Sequence, residues 1–252
     1  MSEPNVVEND LHAPICIPTC NRYDKLKKCI ESLIVNKGAE KTELYISVDY
    51  PPEERFFSGY QETLAYVRFL EKNDSRSFKC VHAYYQNENI GAIENSSFLK
   101  EEVKKNHHEC LIYTEDDNEF HHKALSFLNT GLVKYKNDNK VIYICPRNIS
   151  EKDRLIKEKF ILKKSVSVWG FAYWLKDDEE VKKWVSIETL DSIGSNISCM
   201  KKLFREDKGI FNCYVNGYLI RKQYPYLNKE GNVSCIDIYR SMHMIFNDKL
   251  AA

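Results

Sequence analysis

The chain has 252 residues, 43% of them apolar, and its 37 basic residues are balanced by 37 acidic ones. That length supports one large domain with a real core, and a net charge of zero gives no electrostatic reason to expect nucleic acid or an anionic lipid surface as a partner. No stretch approaches the roughly 18 apolar residues of a membrane span, and the polar start Met1 to Leu11 lacks the basic and apolar regions of a signal peptide. The nine cysteines are odd in number, scattered, and lack a Cys-x-x-Cys pair, so they read as small buried hydrophobes in a reducing cytoplasm.

Residues 1–12 read as a flexible tail. Ala13 to Pro18 is a short buried strand that ends at a proline, followed by the loop Thr19-Cys20-Asn21-Arg22. Asp24 can cap a helix from Lys25 to about Val35, with Leu26, Cys29, Ile30 and Leu33 on one face. Glu43 to Val48 is a second strand, with Asp49 at its end. A strand-helix-strand unit of this kind predicts parallel pairing. Glu53 to Lys72 reads as a helix, Lys79 to Tyr85 as a third strand, and Ala92 to Lys105 as a helix after the polar loop that ends in Gly91.

Cys110 to Thr114 has the length and content of a central buried strand and runs into three consecutive acids, Glu115-Asp116-Asp117. Four strands alternating with helices predict a doubly wound, mostly parallel α/β sheet. Asp49 and the three acids then share the carboxyl edge of that sheet, where open α/β folds bind ligands. Hard divalent ions take oxygen ligands, so the acids can hold Mg²⁺ or Mn²⁺. The plainer alternative is an acidic turn that caps a helix starting near His121.

The chain continues with a helix from His121 to Lys136 and a strand from Val141 to Cys145. Lys157 to Val168 reads as extended, followed by the aromatic patch Trp169 to Trp174. Helices are expected at Asp177 to Trp184 and Ser195 to Phe204, a strand at Phe211 to Leu219, and a helix or extended tail at Ile236 to Phe246. We expect one domain, residues 13–252, with a nucleotide-side half (13–120) and an acceptor-side half (121–252). The adjacent pairs His107-His108 and His121-His122 diverge and read as surface residues. The basic run Lys152 to Lys164 reads as a solvated face or as a grip for a diphosphate or an anionic acceptor.

Taken together, Ile15-Cys16-Ile17-Pro18-Thr19-Cys20-Asn21-Arg22, Val48-Asp49 and Glu115-Asp116-Asp117 resemble the GT-A-fold glycosyltransferases of family 2. The order of the acids, Val141 to Asn148 and Trp169-Gly170-Phe171 is also similar to the N-acetylglucosaminyltransferase I family. Asn228 to Ser234 resembles the Gly-x-x-Ser turn of that family.

The resemblance implies nucleotide contacts at Pro18, Thr19, Arg22, Asn89, Gly91 and Asp116, with Asp49 accepting a hydrogen bond from the base, most often uracil. It implies donor-sugar contacts at Glu115, Trp169 and Gly170, and Mn²⁺ or Mg²⁺ on Asp117 and Asp116, with His243 as a further candidate ligand. Position 20 is Cys where the family usually has an aromatic.

Asp191 falls nearest the place of the family's catalytic base, and it can equally cap a helix over Ser192 to Phe204. Trp169-Gly170-Phe171 is either a sugar-stacking platform or core. The implied activity is a metal-dependent transfer of a sugar, with inversion at the sugar carbon, from a nucleotide-sugar to a glycan or lipid-linked acceptor in surface-polysaccharide synthesis. It would take place in the cytoplasm, with peripheral contact at the inner face of the membrane as one option.

Two rivals remain. A sugar nucleotidyltransferase would show a glycine-rich phosphate loop after the first strand, which Pro18 to Arg22 lacks. A non-catalytic carbohydrate-binding protein on the same fold need not keep the acids.

Overall fold

The computed structural model describes residues 11–73, 77–146, 160–167, 169–223 and 236–252. The first strands form from β-branched and aromatic runs, and the first, second and fourth of them bury on both faces, as parallel strands covered by helices require. They are β1 (Ile15–Thr19), β2 (Glu43–Val48), β3 (Cys80–Tyr85) and β4 (Cys110–Tyr113). β1 lies between β2 and β4, β3 flanks β2, and all three pairings are parallel. β6 (Phe171–Trp174) pairs antiparallel with β4, bringing Phe171 opposite Tyr113. The α/β class with a mostly parallel sheet flanked by helices is as predicted.

The helices of this part follow the apolar periodicity. α1 (Tyr23–Ile34) buries Leu26, Cys29, Ile30 and Leu33, the predicted face. Asp24 does not cap it. Arg22 holds the N-cap position without a side-chain bond, and Asp24 sits in the first turn. α2 (Phe57–Lys72) follows a short 3-10 turn at Glu54–Phe56. α3 (Gly91–Lys105) packs on β1 and β2, and α4 (Ala124–Tyr135) on β6. No acid lies in the first turn of α4, so Glu115 to Asp117 do not cap that helix.

The chain divides into two compact units. The first comprises residues 1–137, 144–157 and 168–175, and the second residues 138–143, 158–167 and 176–252. In the second, β5 (Val141–Ile144, its first three residues in this unit) pairs parallel with β7 (Leu250–Ala251), and Lys163 bridges Ala251. Its helices are α5 (Leu175–Trp184, from Lys176 in this unit), α6 (Ile187–Ser195), α7 (Ile197–Glu206), α8 (Lys208–Gln223) and α9 (Ile236–Asn247).

The predicted strand at Phe211 to Leu219 is therefore helical. Ile210 and Tyr214 are buried and Phe211, Val215 and Tyr218 half-buried, a spacing of three to four residues that fits a helix docked on a core. That core holds Leu190, Leu203, Met242 and Ile245. Helices α6 and α7 are capped by Ser186, which accepts from Thr189 N at 3.1 Å, and by Asn196, which accepts from Ser198 N at 2.9 Å. Asp191 lies inside α6 and caps neither. Lys152 to Lys159 and the Asn228 to Ser234 turn lie outside the described residues. Lys164 forms ion pairs with Glu206 at 3.5 Å and Asp248 at 3.3 Å.

Candidate functional site

The carboxyl ends of β1, β2 and β4 deliver Thr19, Asp49 and Glu115 to Asp117 to one edge of the first unit. Backbone bonds tie these ends together: Asp49 N donates to Thr19 O at 2.8 Å and Thr114 N to Cys16 O at 3.1 Å. In the turn past β4, Asp116 is buried, 1% exposed, while Glu115 and Asp117 face solvent.

Asp116 is held on both oxygens. Thr19 Oγ1 donates to Oδ2 at 2.6 Å, and Arg22 Nη2 forms a short ion pair with Oδ1. The same guanidinium reaches Asp117 Oδ2 through Nη1 at 3.0 Å. Arg22 thus bridges the two acids that the resemblance assigns to a metal. Burial lowers the basicity of its guanidinium, but the carboxylates of Asp116, Asp117 and Glu115 outweigh that and raise it. The Cys20 thiol, beside this edge, is pushed up to about 11 by burial and by Asp49 and Asp116.

Asp49 is 4% exposed, and four donors surround its carboxylate. Oδ1 accepts from Tyr50 N at 2.9 Å and Ile90 N at 3.0 Å. Oδ2 accepts from Gly91 N at 2.9 Å and Asn89 Nδ2 at 3.2 Å. A carboxylate offers about four acceptor positions, so all are taken. Asp49 thus acts as a fastener: it holds the 89–91 loop and satisfies N–H groups that open α3. Gly91 turns into α3 at φ +82°, a conformation open to glycine. Asn89 also donates to Tyr50 O at 2.6 Å, and Pro18 is half-buried in β1.

β6 runs antiparallel to β4, so its first residues return to the same edge. Gly170 has φ +73°, and a Cβ there would lie 2.5 Å from the Phe120 ring. Phe120, just past the acids, is itself anchored by a bond from its N–H to Ser32 Oγ at 2.9 Å. Trp169 beside it is 74% exposed, an indole face offered to solvent rather than core.

Two predicted residues belong to the second unit. His243 is 1% exposed, its ring 5.3 Å from Trp184, and burial pushes its pKa down. The structure thus places this expected ligand in the buried interior of its own unit. Asp191 is half-buried in α6. The expectation that His108 is a simple surface residue needs correction. With His82 and Lys79 it surrounds Glu43, at 3.3, 3.1 and 2.8 Å.

The residues present suit a divalent ion through their donor chemistry. Asp116 and Asp117 are hard oxygen donors already disposed around a cationic group, and Mg²⁺ commonly takes one or two carboxylates with substrate phosphates supplying the rest. Among the described residues no group of three or more His, Cys, Asp and Glu is arranged to hold a metal by itself.

Sequence reasoning missed several members of this edge. Asn95 is buried, donates to Ser47 O at 3.1 Å, and accepts from Ser47 Oγ at 2.5 Å, locking α3 to β2. Its signal was a polar residue four positions before Leu99 on the buried face of α3. Tyr50, Phe57 and Tyr60 form an aromatic cluster beside Asp49, with Tyr50 5.6 Å from each of the other rings. Burial and the neighbouring Tyr50 raise the pKa of the Tyr60 phenol.

No protein-family model matches the chain, and no curated protein matches it. Among solved structures it is similar to S. aureus TarS 1-349 in complex with UDP, at 12% identity and a TM-score of 0.48, over 73% of this chain and 54% of that one. It is similar to a cytidylyltransferase from Leptospira borgpetersenii, at 12% and 0.40, over 69% and 64%. It is also similar to mouse xyloside xylosyltransferase 1 in its apo form, at 6% and 0.39, over 73% and 74%. The chain spans about half the length of the TarS fragment. At these identities and scores the likeness assigns no activity.

Proposed function

We propose that the chain is a glycosyltransferase that takes its sugar from a nucleotide-sugar donor, a UDP-sugar first among them, and passes it to a glycan or lipid-linked acceptor in polysaccharide synthesis. The observation that carries the reading is the gathering of Thr19, Arg22, Asp116 and Asp117, the Asp49-fastened 89–91 loop and the exposed Trp169 on one sheet edge. A nucleoside diphosphate needs cationic and N–H groups at its phosphates, rings at its base and an apolar surface at its sugar. Arg22 supplies the guanidinium. The Tyr50, Phe57 and Tyr60 cluster offers ring faces where Cys20 stands in place of the family's aromatic. Trp169 offers its indole to the sugar, with Gly170 letting the chain pass close to Phe120.

Asp116 and Asp117 would hold Mn²⁺ or Mg²⁺. A bound divalent ion supplies Lewis-acid stabilisation for the charge that develops on the departing diphosphate. The chain's own part is to orient the donor. Thr19 and Arg22 set the Asp116 carboxylate, Asp49 sets the 89–91 loop, and Glu115, exposed at the same edge, would meet a donor-sugar hydroxyl. We read the transfer as inverting, on the strength of the family resemblance.

The test is a thermal-shift screen of UDP, GDP, CDP, dTDP and CMP, each with and without Mn²⁺. A ligand that binds only the folded chain raises its melting temperature by mass action. A metal-dependent shift with one diphosphate supports the reading and names the donor's nucleotide. No shift with any of them overturns it and favours a carbohydrate-binding protein without transferase chemistry.

A further inference from the structure

Arg22 stands where the proposed function puts a metal ion. Its Nη2 pairs with Asp116 and its Nη1 with Asp117, while the side chain remains 49% exposed. The other oxygen of Asp116 accepts from Thr19 Oγ1 at 2.6 Å. The pairing spans 94 residues of sequence, so it is a tertiary contact and not a local turn. Arg22 is also the N-cap residue of α1, so the backbone behind the guanidinium is fixed by the helix. A guanidinium carries five N–H donors in a planar fork, and the two ion pairs described use one from each terminal nitrogen, leaving a half-exposed flank suited to a phosphate.

We propose that Arg22 is a charge placeholder: it partly neutralises Asp116 and Asp117 before a divalent cation binds, competes with that cation for them, and transfers to the diphosphate when the cation enters. This rests on the proposed nucleotide-diphosphate site and adds a thermodynamic coupling to it. A guanidinium and a divalent ion on the same two carboxylates repel each other, so each weakens the other there. A diphosphate gives the displaced guanidinium a new anionic partner, so metal and diphosphate bind with positive cooperativity through Arg22. Until then the pairing leaves no uncompensated buried carboxylate at Asp116, whose side chain is 2% exposed.

The experiment titrates Mn²⁺ alone into the full chain by electron paramagnetic resonance, for the natural protein and for Arg22→Gln and Arg22→Lys. Removing the competitor is expected to tighten Mn²⁺ binding to Arg22→Gln about tenfold, with Arg22→Lys in between. UDP binding at saturating Mn²⁺ is expected to move the opposite way, weakening in Arg22→Gln. A residue with a purely structural role would not produce these opposed changes. Mn²⁺ binding to Arg22→Gln that is unchanged, weaker or absent overturns the proposal.

If Arg22→Gln fails to fold, the Nε–H resonance of Arg22 in the natural protein is followed while Mg²⁺ is added. A saturable shift is expected, and an unmoved resonance overturns the proposal. Tighter Mn²⁺ binding to Arg22→Gln with no UDP binding to any variant would sink the diphosphate hand-over and the transferase reading, and leave the competition for the two acids intact.

Discussion

Asp49→Ala removes one buried carboxylate and with it four hydrogen bonds at 2.9, 3.0, 2.9 and 3.2 Å. Three of the donors are backbone N–H groups, and two of them, on Ile90 and Gly91, open α3 and have no partner within the helix. A hydrogen bond to a charged group contributes about 1.5–3 kcal/mol, and loss of an N-cap costs about 0.5–2 kcal/mol. The four do not add. Water can reach the loop once the carboxylate is gone, and Asn89 keeps its bond to Tyr50 O at 2.6 Å. The expected loss is therefore about 2–4 kcal/mol, larger than one bond and smaller than the sum of four.

At roughly 2–4 °C per kcal/mol for a chain of this size, the melting temperature falls by about 4–16 °C. Asp49→Asn keeps the bonds on one oxygen and sets an amide against the donors on the other, so it falls in between. The assays are urea denaturation and amide exchange at Ile90 and Gly91, whose protection should drop in both variants. An Asp49→Ala protein that melts within about 1 °C of the natural one, with protection at Ile90 and Gly91 intact, refutes the fastening role.

Asp117→Ala should abolish metal-dependent nucleotide binding without lowering the melting temperature, because Asp117 is exposed past the end of β4; a retained Mn²⁺-dependent UDP shift would remove it from the site. Gly170→Ala should cost about 1–3 kcal/mol through the left-handed backbone and the Phe120 ring 2.5 Å from the new carbon, and a urea midpoint equal to that of the natural chain would count against this packing. Burial alone would raise the Glu43 pKa, but Lys79, His82 and His108 hold it down at about 2, below its ordinary 4.5. A depressed carboxylate stabilises the fold above its unfolded pKa, so this contribution is present above pH 4.5 and is lost as the pH falls towards 2. Glu43→Gln should therefore show a shallower decline in urea midpoint from pH 6 to pH 3, and parallel declines would contradict the assignment.

The sequence by itself determined what depends on neighbours in the chain. β2 occupies the predicted residues Glu43 to Val48, and α1 buries the predicted face, because a buried parallel strand needs an unbroken apolar run and a docked helix needs an apolar residue every three or four positions. Once those strands are parallel, Asp49 and Glu115 to Asp117 must share a carboxyl edge. Local pattern failed at Phe211 to Leu219, whose aromatic content reads as strand while the helical core around Leu203 and Met242 selects a helix.

It also could not decide which donors meet which acceptors. Asp49 binds the 89–91 loop across 42 residues to Gly91, and Arg22 reaches Asp117 across 95. Nothing in the spacing of either residue marks its partner. A carboxylate takes whatever donors the fold delivers, so only the tertiary structure turned Asp49 into a fastener and Arg22 into the cation between the acids. Likewise the sequence offered His243 as a ligand, and the packing of α9 against Trp184 enclosed it.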